Sequence, residues 1–548
     1  MSSAHVDGTG GFGETEGGFA QRALAWVERA GNKVPNPAIL FLALCVGVIV
    51  LSQLLDWIGV SVTSEVIQEP GGRDGIAYDD PALGPSDNGY LTVEERFEVK
   101  GLLTVEGIRF MFTSFVPNFL GFTAMGVILV AMIGVGVAEL SGLIGALIRK
   151  LVAISSPGSL TYIIVFVGII SSIAADAGYL VLIPLAATAF LSVGRNPLAG
   201  IAAGFAAVSA AFGINVLITP ADGVLTDFTN DAAQLIDPTV ELDLAANLFF
   251  GIGSTIFLTI VIALITTRII EPRLGAWDRS LADEDELARE EGPEIDEALE
   301  SKGLRWALYA MLGVFAVVAL LTLPSGAPLR NEETGEIIGS SPFMSSLIVI
   351  ISATFLAAGL AYGKATGTVK GSDDAIGMIT KSWATLASLL FLFLLIAQFI
   401  AYFDFSNMAQ VAAVWMGDIL EEMDVGDAPL LLGVIVVTIL VNFLIPAKIA
   451  KWAILAPIFV PLMLRLGIEP QTVLAAYRVG DSPTNVLTPL MPYFALMVVF
   501  AARYQKDAGI GTVIALMIPY TLILTVVWIV FFFVWFFLGI PLGPGSPV

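Results

Sequence analysis

Apolar runs separated by short polar stretches follow one another along nearly the whole chain of 548 residues. Several runs reach about 20 residues, the length with which an α-helix crosses a hydrocarbon core of roughly 30 Å. The short alternating segments typical of outer-membrane strands do not occur in the sequence, and helices satisfy their own backbone hydrogen bonds in lipid. The pattern therefore predicts an all-α polytopic membrane protein.

The polar stretches divide the chain into four parts. Residues 1–30 form a Gly-rich tail, and basic residues before the first apolar run place this tail in the cytoplasm by the positive-inside rule. A first membrane half, 31–270, and a second, 304–548, are separated by an acidic linker, 271–303. A run of like charges such as this linker is typical of a solvated segment.

The first membrane half begins with a simple span and then departs from regular spacing. The first span is predicted at Asn36–Ile58, and the following loop, Gly59–Lys100, is rich in Asp, Glu, Gly and Pro and is expected outside. The next run, Leu102–Leu140, is too long for one simple span. Pro117 and Gly121 predict that this run is interrupted.

Two apolar segments are shorter than a span requires. Tyr179–Val193 and Trp452–Leu466 have about 15 residues each, which is below the usual spanning length. Each segment is interpreted as half of a re-entrant hairpin, one near 172–194 and the other near 445–467.

These two segments resemble each other at a constant shift of 273 positions. The matched Pro and Gly residues are Pro184 with Pro457, Gly194 with Gly467, and Pro197 with Pro470. After a slip in register, Asn215-Val-Leu-Ile-Thr-Pro220 parallels Asn485-Val-Leu-Thr-Pro489. The match indicates an internal two-fold repeat, and paired interrupted segments in two halves of a transporter point to its binding site.

Ionisable residues inside the apolar segments are candidates for function, since each costs about 2.5–3.5 kcal/mol or more near the bilayer centre. Arg478 and Asp481 are three residues apart, one helical turn on one face. The planar guanidinium of Arg478 suits a substrate carboxylate, and Asp481 with Asn485 and Thr488 offers oxygens that suit a hard cation. The alternative is a buried structural ion pair between Arg478 and Asp481.

The sequence indicates a functional role less strongly for other residues near the short segments. Asp176 precedes the first segment, and its alternative role is a helix-end carboxylate at the interface. Lys448 and Lys451 precede the second, and for both the alternative is a side chain that extends to a lipid headgroup. Trp452 suits an aromatic substrate ring, but a Trp at a membrane interface is more often an anchor. Glu139 is interpreted as structural.

Composition limits the functions that remain. Hydrophobic residues make up 56% of the chain and charged residues 14%, and the net charge of −23 argues against nucleic acid as a partner. The single histidine, His5, and the single cysteine, Cys45, leave carboxylates as the groups for a proton relay and exclude a disulfide framework. The sequence has no Walker motif. A gradient-driven carrier is therefore favoured over an ATP-driven pump or a membrane enzyme.

Four stretches of the sequence are distinctive, namely Gly31–Pro37 (GNKVPNP), Ala175–Pro184 (ADAGYLVLIP), Lys451–Pro461 (KWAILAPIFVP) and Tyr477–Tyr493 (YRVGDSPTNVLTPLMPY). Through them the sequence resembles the p-aminobenzoyl-glutamate transporter (AbgT) family. The resemblance implies about nine transmembrane helices, two re-entrant hairpins, a homodimer and multi-pass insertion in the cell inner (plasma) membrane. It also implies that the protein is not an enzyme.

The resemblance further implies the transported substrate and the residues that bind it. The substrate is a small molecule, p-aminobenzoyl-glutamate or a related aromatic carboxylate, moved by a proton or sodium gradient, and the alternative is efflux of sulfonamide antimetabolites. An ion channel fits less well, because channels repeat like residues by symmetry. No cofactor is implied beyond Na⁺ or H⁺ as coupling ion, and lipid is the other partner. The implied substrate-binding residues are Asp176, Trp452, Pro470, Arg478 and Asp481, and the implied sodium ligands are Asn442, Asp481 and Asn485.

One departure from the family pattern affects the coupling ion. Where the family has a Ser-rich segment before the Lys-Trp pair, this chain has Ile445-Pro-Ala-Lys-Ile-Ala450. We therefore expect the ammonium of Lys448 to take the place of a bound cation and to weaken sodium dependence.

Overall fold

The computed structural model of the protein is mainly helical. It describes residues 37–68, 91–174, 178–282, 296–332, 334–337, 341–422, 426–488, 491 and 493–548. The elements of the first half are α1 (Pro37–Ile58), β1 (Ser61–Gln68), β2 (Leu91–Glu98), α2 (Val105–Thr113), α3 (Phe115–Leu120), α4 (Thr123–Leu140), α5 (Leu143–Ala153), α6 (Leu160–Ser171), α7 (Ile183–Ser192), α8 (Pro197–Phe205), α9 (Pro220–Ala233) and α10 (Leu248–Leu274).

The second half continues the helical pattern. Its elements are α11 (Glu297–Thr322), α12 (Pro342–Ser345), α13 (Leu347–Thr366), α14 (Ser372–Thr385), α15 (Ala387–Phe405), α16 (Met408–Glu422), α17 (Asp427–Asn442), α18 (Lys448–Arg465), α19 (Pro470–Asp481), α20 (Phe494–Tyr504) and α21 (Ile510–Phe537). The helix α10 extends to Leu274, and α11 begins at Glu297, so helices occupy both ends of the range that the sequence assigned to the linker, 271–303.

The predicted fold class, an all-α polytopic membrane protein, is confirmed. Within the described ranges, seven helices are long and apolar enough to cross a membrane. These are α1, α4, α10, α11, α13, α15 and α21. Shorter apolar helices lie between them, among them α6, α17 and α20.

The long run at Leu102–Leu140 is interrupted, as predicted. It forms α2, α3 and α4, and the breaks fall at Ser114 and at Gly121–Phe122. Thr104 begins α2 as an N-cap whose side chain accepts a hydrogen bond from the Gly107 amide at 3.1 Å.

A short antiparallel hairpin was not predicted. β1 and β2 pair with Ser61 opposite Glu98 and Gln68 opposite Leu91, within the stretch Gly59–Lys100 that the sequence indicated as a loop. The segment is rich in polar and charged residues and lacks a clean alternation of apolar and polar positions, so its period gave no strand signal.

The internal repeat has a counterpart in backbone geometry. Gly194 and Gly467 have positive φ angles of 74° and 81°, a conformation that favours glycine. Three residues later, Pro197 and Pro470 each begin a helix, α8 and α19, where the missing proline N–H has no helical partner to lose. The matched positions therefore form the same turn followed by the same kind of helix start.

The paired segments differ in the element before that turn. In the first half, a π-helical turn at Gly178–Leu182 leads into α7. In the second half, α18 is one continuous helix of 18 residues that contains Pro457 and Pro461. It begins at Lys448, four residues before the predicted start at Trp452. That both segments enter and leave on one side of the bilayer stays a prediction.

The helices that carry the candidate residues pack closely. α18 lies against α9, and α19 lies against α17. A Cβ atom added at Gly480 of α19 would lie 2.7 Å from the carbonyl oxygen of Ile435 in α17. The two backbones therefore approach at a distance that glycine permits.

A second close contact between helices, outside the candidate site, joins Gly134 of α4 to Ser352 of α13. The Gly134 amide donates to Ser352 Oγ at 3.1 Å, and an added Cβ would lie 1.9 Å from the Ser352 carbonyl oxygen. We expect Gly134→Ala to reduce the free energy of unfolding by about 1–3 kcal/mol, since overpacking forces the helices apart. The measurement is thermal unfolding of the detergent-solubilised protein.

Gly126, in the same helix, is the matched control. Nothing lies within 4 Å of a Cβ atom added there, and alanine has a higher helix propensity than glycine. Gly126→Ala should therefore unfold at the parental temperature or above it, and equal losses in both variants would contradict the packing interpretation.

Candidate functional site

The two matched helices end in irregular backbone, and these ends meet. α8 passes into a π-helical turn at Ala206–Ala210, and α19 is followed from Ser482 by turns. The Gly213 amide donates to Ser482 Oγ at 2.7 Å, and Asn485 Nδ2 donates to the Ser209 carbonyl at 3.4 Å. Broken helices release backbone groups for other partners, and here each half provides partners for the other.

Arg478 is the centre of a polar cluster between the halves. Its Nη1 donates to Asp222 Oδ1 at 2.5 Å and to the Gly213 carbonyl at 3.0 Å, and its Nε donates to Asn247 Oδ1 at 3.1 Å. The side chains of Arg478 and Asp222 are 6% and 13% exposed. The guanidinium is therefore buried with a carboxylate partner, as a buried charge requires.

Asp222 was not identified from the sequence. It is the third residue of α9, where its Oδ2 accepts hydrogen bonds from the Thr219 amide and Thr219 Oγ1, both at 2.7 Å. The Asp222 amide in turn donates to Thr219 Oγ1. This reciprocal capping box holds the carboxylate at the helix start. The sequence Thr219-Pro-Ala-Asp222 indicates a helix start, but it does not indicate that Asp222 pairs with Arg478.

Asp481 belongs to a second, adjacent cluster. Its Oδ1 lies 2.6 Å from Lys451 Nζ and accepts a hydrogen bond from the Tyr477 hydroxyl at 3.3 Å, and its Oδ2 accepts one from Ser482 Oγ at 3.2 Å. The side chains of Asp481 and Lys451 have no exposed surface. Arg478 and Asp481 thus take different ion partners, Asp222 and Lys451, and the alternative of a structural pair between them is wrong.

The predicted sodium ligands lie together around Lys451. Asn442 Nδ2 donates to Asn485 Oδ1 at 2.9 Å and to Thr484 Oγ1 at 2.7 Å. The ammonium of Lys451 donates to Asn442 Oδ1 as well as contacting Asp481. The carboxylate and amide oxygens are of the type that suits a hard cation. However, the oxygens of Asp481 and Asn442 already bind an ammonium, so the arrangement does not fit a sodium ion beside Lys451.

Lys448 lies apart from these oxygens. Its Nζ is 5.4 Å from the centroid of the Phe212 ring, and its side chain is buried. The sequence assigned the built-in cation to Lys448, but the ammonium at the predicted sodium ligands is that of Lys451. Burial of both lysines inside the protein also excludes the interpretation that either extends to a lipid headgroup.

The remaining predicted residues take different positions. Trp452 is fully buried, its indole N–H donates to the Leu225 carbonyl and to Thr229 Oγ1, and its ring is 4.4 Å from that of Tyr477. Pro470 is the buried first residue of α19. Asp176 lies outside the described residues. Contacts of these three residues with a substrate stay predictions.

The buried charges do not cancel among the described residues of this region. Arg478, Lys448 and Lys451 provide three cations, and Asp222 and Asp481 provide two anions. Arg478 and Lys451 each have a carboxylate partner, and Lys448 is the basic side chain of this region that has no ion-pair partner among the described residues.

A cleft leads to the Arg478 cluster. A small cavity of about 20 Å³ beside Arg478 and Asp222 is also lined by Asn247. It shares Leu217, Ile218 and Leu248 with a larger, mainly apolar cleft of about 970 Å³. The cleft also lies along α5, α11 and α13. Its volume is in the range of small-molecule pockets, and the polar residues Arg478, Asp222 and Asn247 line the small cavity that adjoins it.

Comparisons with known proteins agree over almost the full length. Residues 22–548 match the model of the AbgT putative transporter family. The p-aminobenzoyl-glutamate transport protein of Escherichia coli (strain K12) is 34% identical over 522 residues, which cover 95% of this chain and 96% of that protein.

Two solved structures have the same fold. The Alcanivorax borkumensis YdaH transporter has a TM-score of 0.82 and 39% identity, with 93% of this chain and 100% of that chain covered. Neisseria gonorrhoeae MtrF has a TM-score of 0.85 and 37% identity, with 96% and 100% covered, and is described as illuminating a class of antimetabolite efflux pumps.

The Lys451–Asp481 pair makes a testable contribution to stability. Lys451→Met leaves the carboxylate of Asp481 buried without its cation, and we expect a loss of about 3–5 kcal/mol in the free energy of unfolding. The double variant Lys451→Met/Asp481→Asn removes both charges and should recover most of that loss. Thermal unfolding in detergent measures both variants.

Lys381→Met is the control, because Lys381 is an exposed lysine of α14 and its loss should leave the unfolding temperature unchanged. A double variant that is no more stable than Lys451→Met would contradict the interpretation that the two charges compensate each other.

Proposed function

The chain belongs to the AbgT putative transporter family, and from this premise we propose that it is a secondary active transporter of an aromatic carboxylate. It is a multi-pass membrane transporter and not an enzyme. The proposed substrate is p-aminobenzoyl-glutamate or a related molecule, and the proposed driving force is a proton or sodium gradient. The proposed location is the cell inner membrane, and the proposed assembly is a homodimer, as the family resemblance implies.

The buried cluster at Arg478 supports this proposal most directly. A guanidinium provides two parallel donors that match a carboxylate, and Arg478 lines a small cavity that adjoins a mainly apolar cleft at Leu217, Ile218 and Leu248. An aromatic carboxylate has one charged end and one apolar end, so its two parts match the two parts of this space.

The second cluster supports gradient coupling. Asp481, Lys451 and Asn442 join α17, α18 and α19 through buried polar contacts. A proton or cation that changes the charge of this cluster changes the interactions between these helices, which is the kind of differential interaction that a conformational shift requires. A gradient provides roughly 2.3 kcal/mol per charge per 100 mV, enough to drive import or efflux.

Efflux of sulfonamide antimetabolites is the second candidate. The relative MtrF is described in connection with a class of antimetabolite efflux pumps, whereas the Escherichia coli relative is named for p-aminobenzoyl-glutamate transport. Sulfonamides share an aminophenyl group with p-aminobenzoyl-glutamate, and the apolar cleft would accept either. A channel is less consistent with one asymmetric cluster of unlike charges.

Flux of radiolabelled p-aminobenzoyl-glutamate into proteoliposomes tests the proposal. The parent protein should show saturable flux that requires an imposed pH or sodium gradient. Arg478→Ala should raise the apparent KM by about tenfold or more, because a buried charge-assisted contact is lost. Asp481→Asn should abolish accumulation against a gradient while downhill exchange persists.

The control for the flux assay is Lys381→Ala, which should transport like the parent. Flux that rises linearly with concentration and ignores the gradient would indicate a channel. Chemical conversion of the substrate would contradict membership of the transporter class.

The position of Lys451 gives a second prediction, on sodium dependence. Because its ammonium occupies the oxygens of Asp481 and Asn442, we expect the parent to transport in sodium-free buffer when a pH gradient is imposed. Lys451→Ala frees these oxygens and should make flux depend on sodium.

Lys448→Ala is the matched comparison, because it removes the neighbouring ammonium and leaves the Lys451 contacts in place. It should not create sodium dependence. Strict sodium dependence of the parent protein would contradict the assignment of Lys451 as a built-in cation.

A further inference from the structure

The guanidinium of Arg478 pairs with a carboxylate of the protein's own chain, that of Asp222. The carboxylate of Asp222 takes Nη1 of Arg478 at 2.5 Å, at the place where the proposed function requires a substrate carboxylate. Within the described part of the chain, Arg478 donates hydrogen bonds from Nε and Nη1 and none from Nη2. The adjoining cavity of about 20 Å³ holds about one water molecule, so an aromatic carboxylate needs a rearrangement to reach the guanidinium.

We propose that Asp222 is an internal competitor of the substrate carboxylate at Arg478, and that Lys448 receives the Asp222 carboxylate when the substrate displaces it. This inference rests on the proposed function, since it takes Arg478 as the substrate anchor. It adds Asp222 as a specificity-determining residue and gives the second buried lysine a role.

The geometry of Asp222 suits an exchangeable carboxylate. One oxygen, Oδ2, is held by Thr219 at the start of α9, and the other, Oδ1, is held by Arg478. The capping bonds keep the carboxylate near the helix start while Oδ1 changes partner. Asp222 can therefore release Arg478 by a rotation of its side chain, without unfolding of α9.

Lys448 is the cation that can pair with the Asp222 carboxylate after it leaves Arg478. In the described part of the chain, its Nζ has an aromatic contact with Phe212 at 5.4 Å and no ion-pair partner. Phe212 adjoins Gly213, whose carbonyl binds Arg478. Lys448 and Arg478 therefore contact neighbouring residues, Phe212 and Gly213. A carboxylate released from Arg478 would thus find a buried ammonium nearby.

The exchange also explains how the empty carrier remains stable. A bare guanidinium inside the protein is costly, because burial removes its hydration. Asp222 neutralises Arg478 when no substrate is bound, and Lys448 neutralises Asp222 when the substrate is bound. The arrangement keeps each carboxylate paired through both states, and the substrate ring would lie in the cleft beyond Leu217 and Leu248.

Equilibrium binding of radiolabelled p-aminobenzoyl-glutamate to the purified full-length protein tests the competition. Asp222→Asn removes the competing charge, so binding should become about tenfold tighter than in the parent. The ligand-free variant should unfold at a lower temperature, because Arg478 has lost its counter-ion. The ligand should then raise that temperature by more than it does in the parent.

Lys448→Met tests the transfer step. With no ammonium to receive Asp222, binding should weaken by about tenfold. In the double variant Asp222→Asn/Lys448→Met this loss should be much smaller, because no charged carboxylate is displaced. A double-mutant cycle isolates that coupling from the separate effects of the two substitutions.

The matched control is Asp227→Asn, which removes another carboxylate of α9, one that is not among the hydrogen-bond partners of Arg478, and should leave binding unchanged. If Asp222→Asn does not fold, Thr219→Ala replaces it. Loss of the Thr219 hydroxyl weakens the hold on Asp222 Oδ2 and should tighten binding by a smaller factor than Asp222→Asn.

Weaker binding by Asp222→Asn with no gain in ligand stabilisation would overturn the competition, since Asp222 would then only orient Arg478. An unchanged affinity in Lys448→Met would overturn the transfer to Lys448. Absence of saturable binding by the parent would overturn the proposed function, whereas saturable parental binding with a weaker Asp222→Asn would overturn the competition alone.

Discussion

Charged side chains buried between the two halves of this membrane protein must be neutralised, and the local structure is arranged around that requirement. Arg478 forms an ion pair with Asp222 of the first half, and Asp481 of α19 forms one with Lys451 of α18. An uncompensated ion in such surroundings costs several kcal/mol. The Gly213 carbonyl, which follows the π-helical turn after α8, binds Arg478, and the Ser482 hydroxyl, directly after α19, binds Asp481.

The same requirement connects the structure to transport. A site that must hold a charged substrate and then release it cannot leave its guanidinium bare in the empty state. The cluster has partners for Arg478 within the chain and an additional buried ammonium, Lys448. In the proposed function the first cluster serves substrate binding and the second serves coupling, and α19 carries the central residue of each, Arg478 and Asp481.

Part of this arrangement could be predicted from the sequence. Length and apolarity identified the membrane-spanning helices, and the shift of 273 positions identified the Gly–Pro turns before α8 and α19. Arg478 and Asp481 were recognisable because ionised residues are rare in apolar segments. Asn442, Asp481 and Asn485, which were predicted as sodium ligands, lie within hydrogen-bond distance of one another or of Lys451, and their binding of sodium stays a prediction.

The ion partners could not be predicted. Asp222 lies 256 positions from Arg478 and begins a helix with an ordinary capping sequence, so nothing local marks it as a counter-ion. Lys448 and Lys451 are one helical turn apart, and only the packing of α18 decides which ammonium reaches Asp481. The strands β1 and β2 were missed because their polar sequence lacks alternation.

The central claim is that a substrate carboxylate binds Arg478 between the two halves while its aromatic part occupies the apolar cleft. An electron cryo-microscopy structure of the protein with p-aminobenzoyl-glutamate tests this most directly. The account predicts ligand density that contacts the guanidinium of Arg478 and extends past Leu217 and Leu248, with Asp222 moved toward Lys448. Ligand density elsewhere, with the Arg478–Asp222 pair intact, would contradict it.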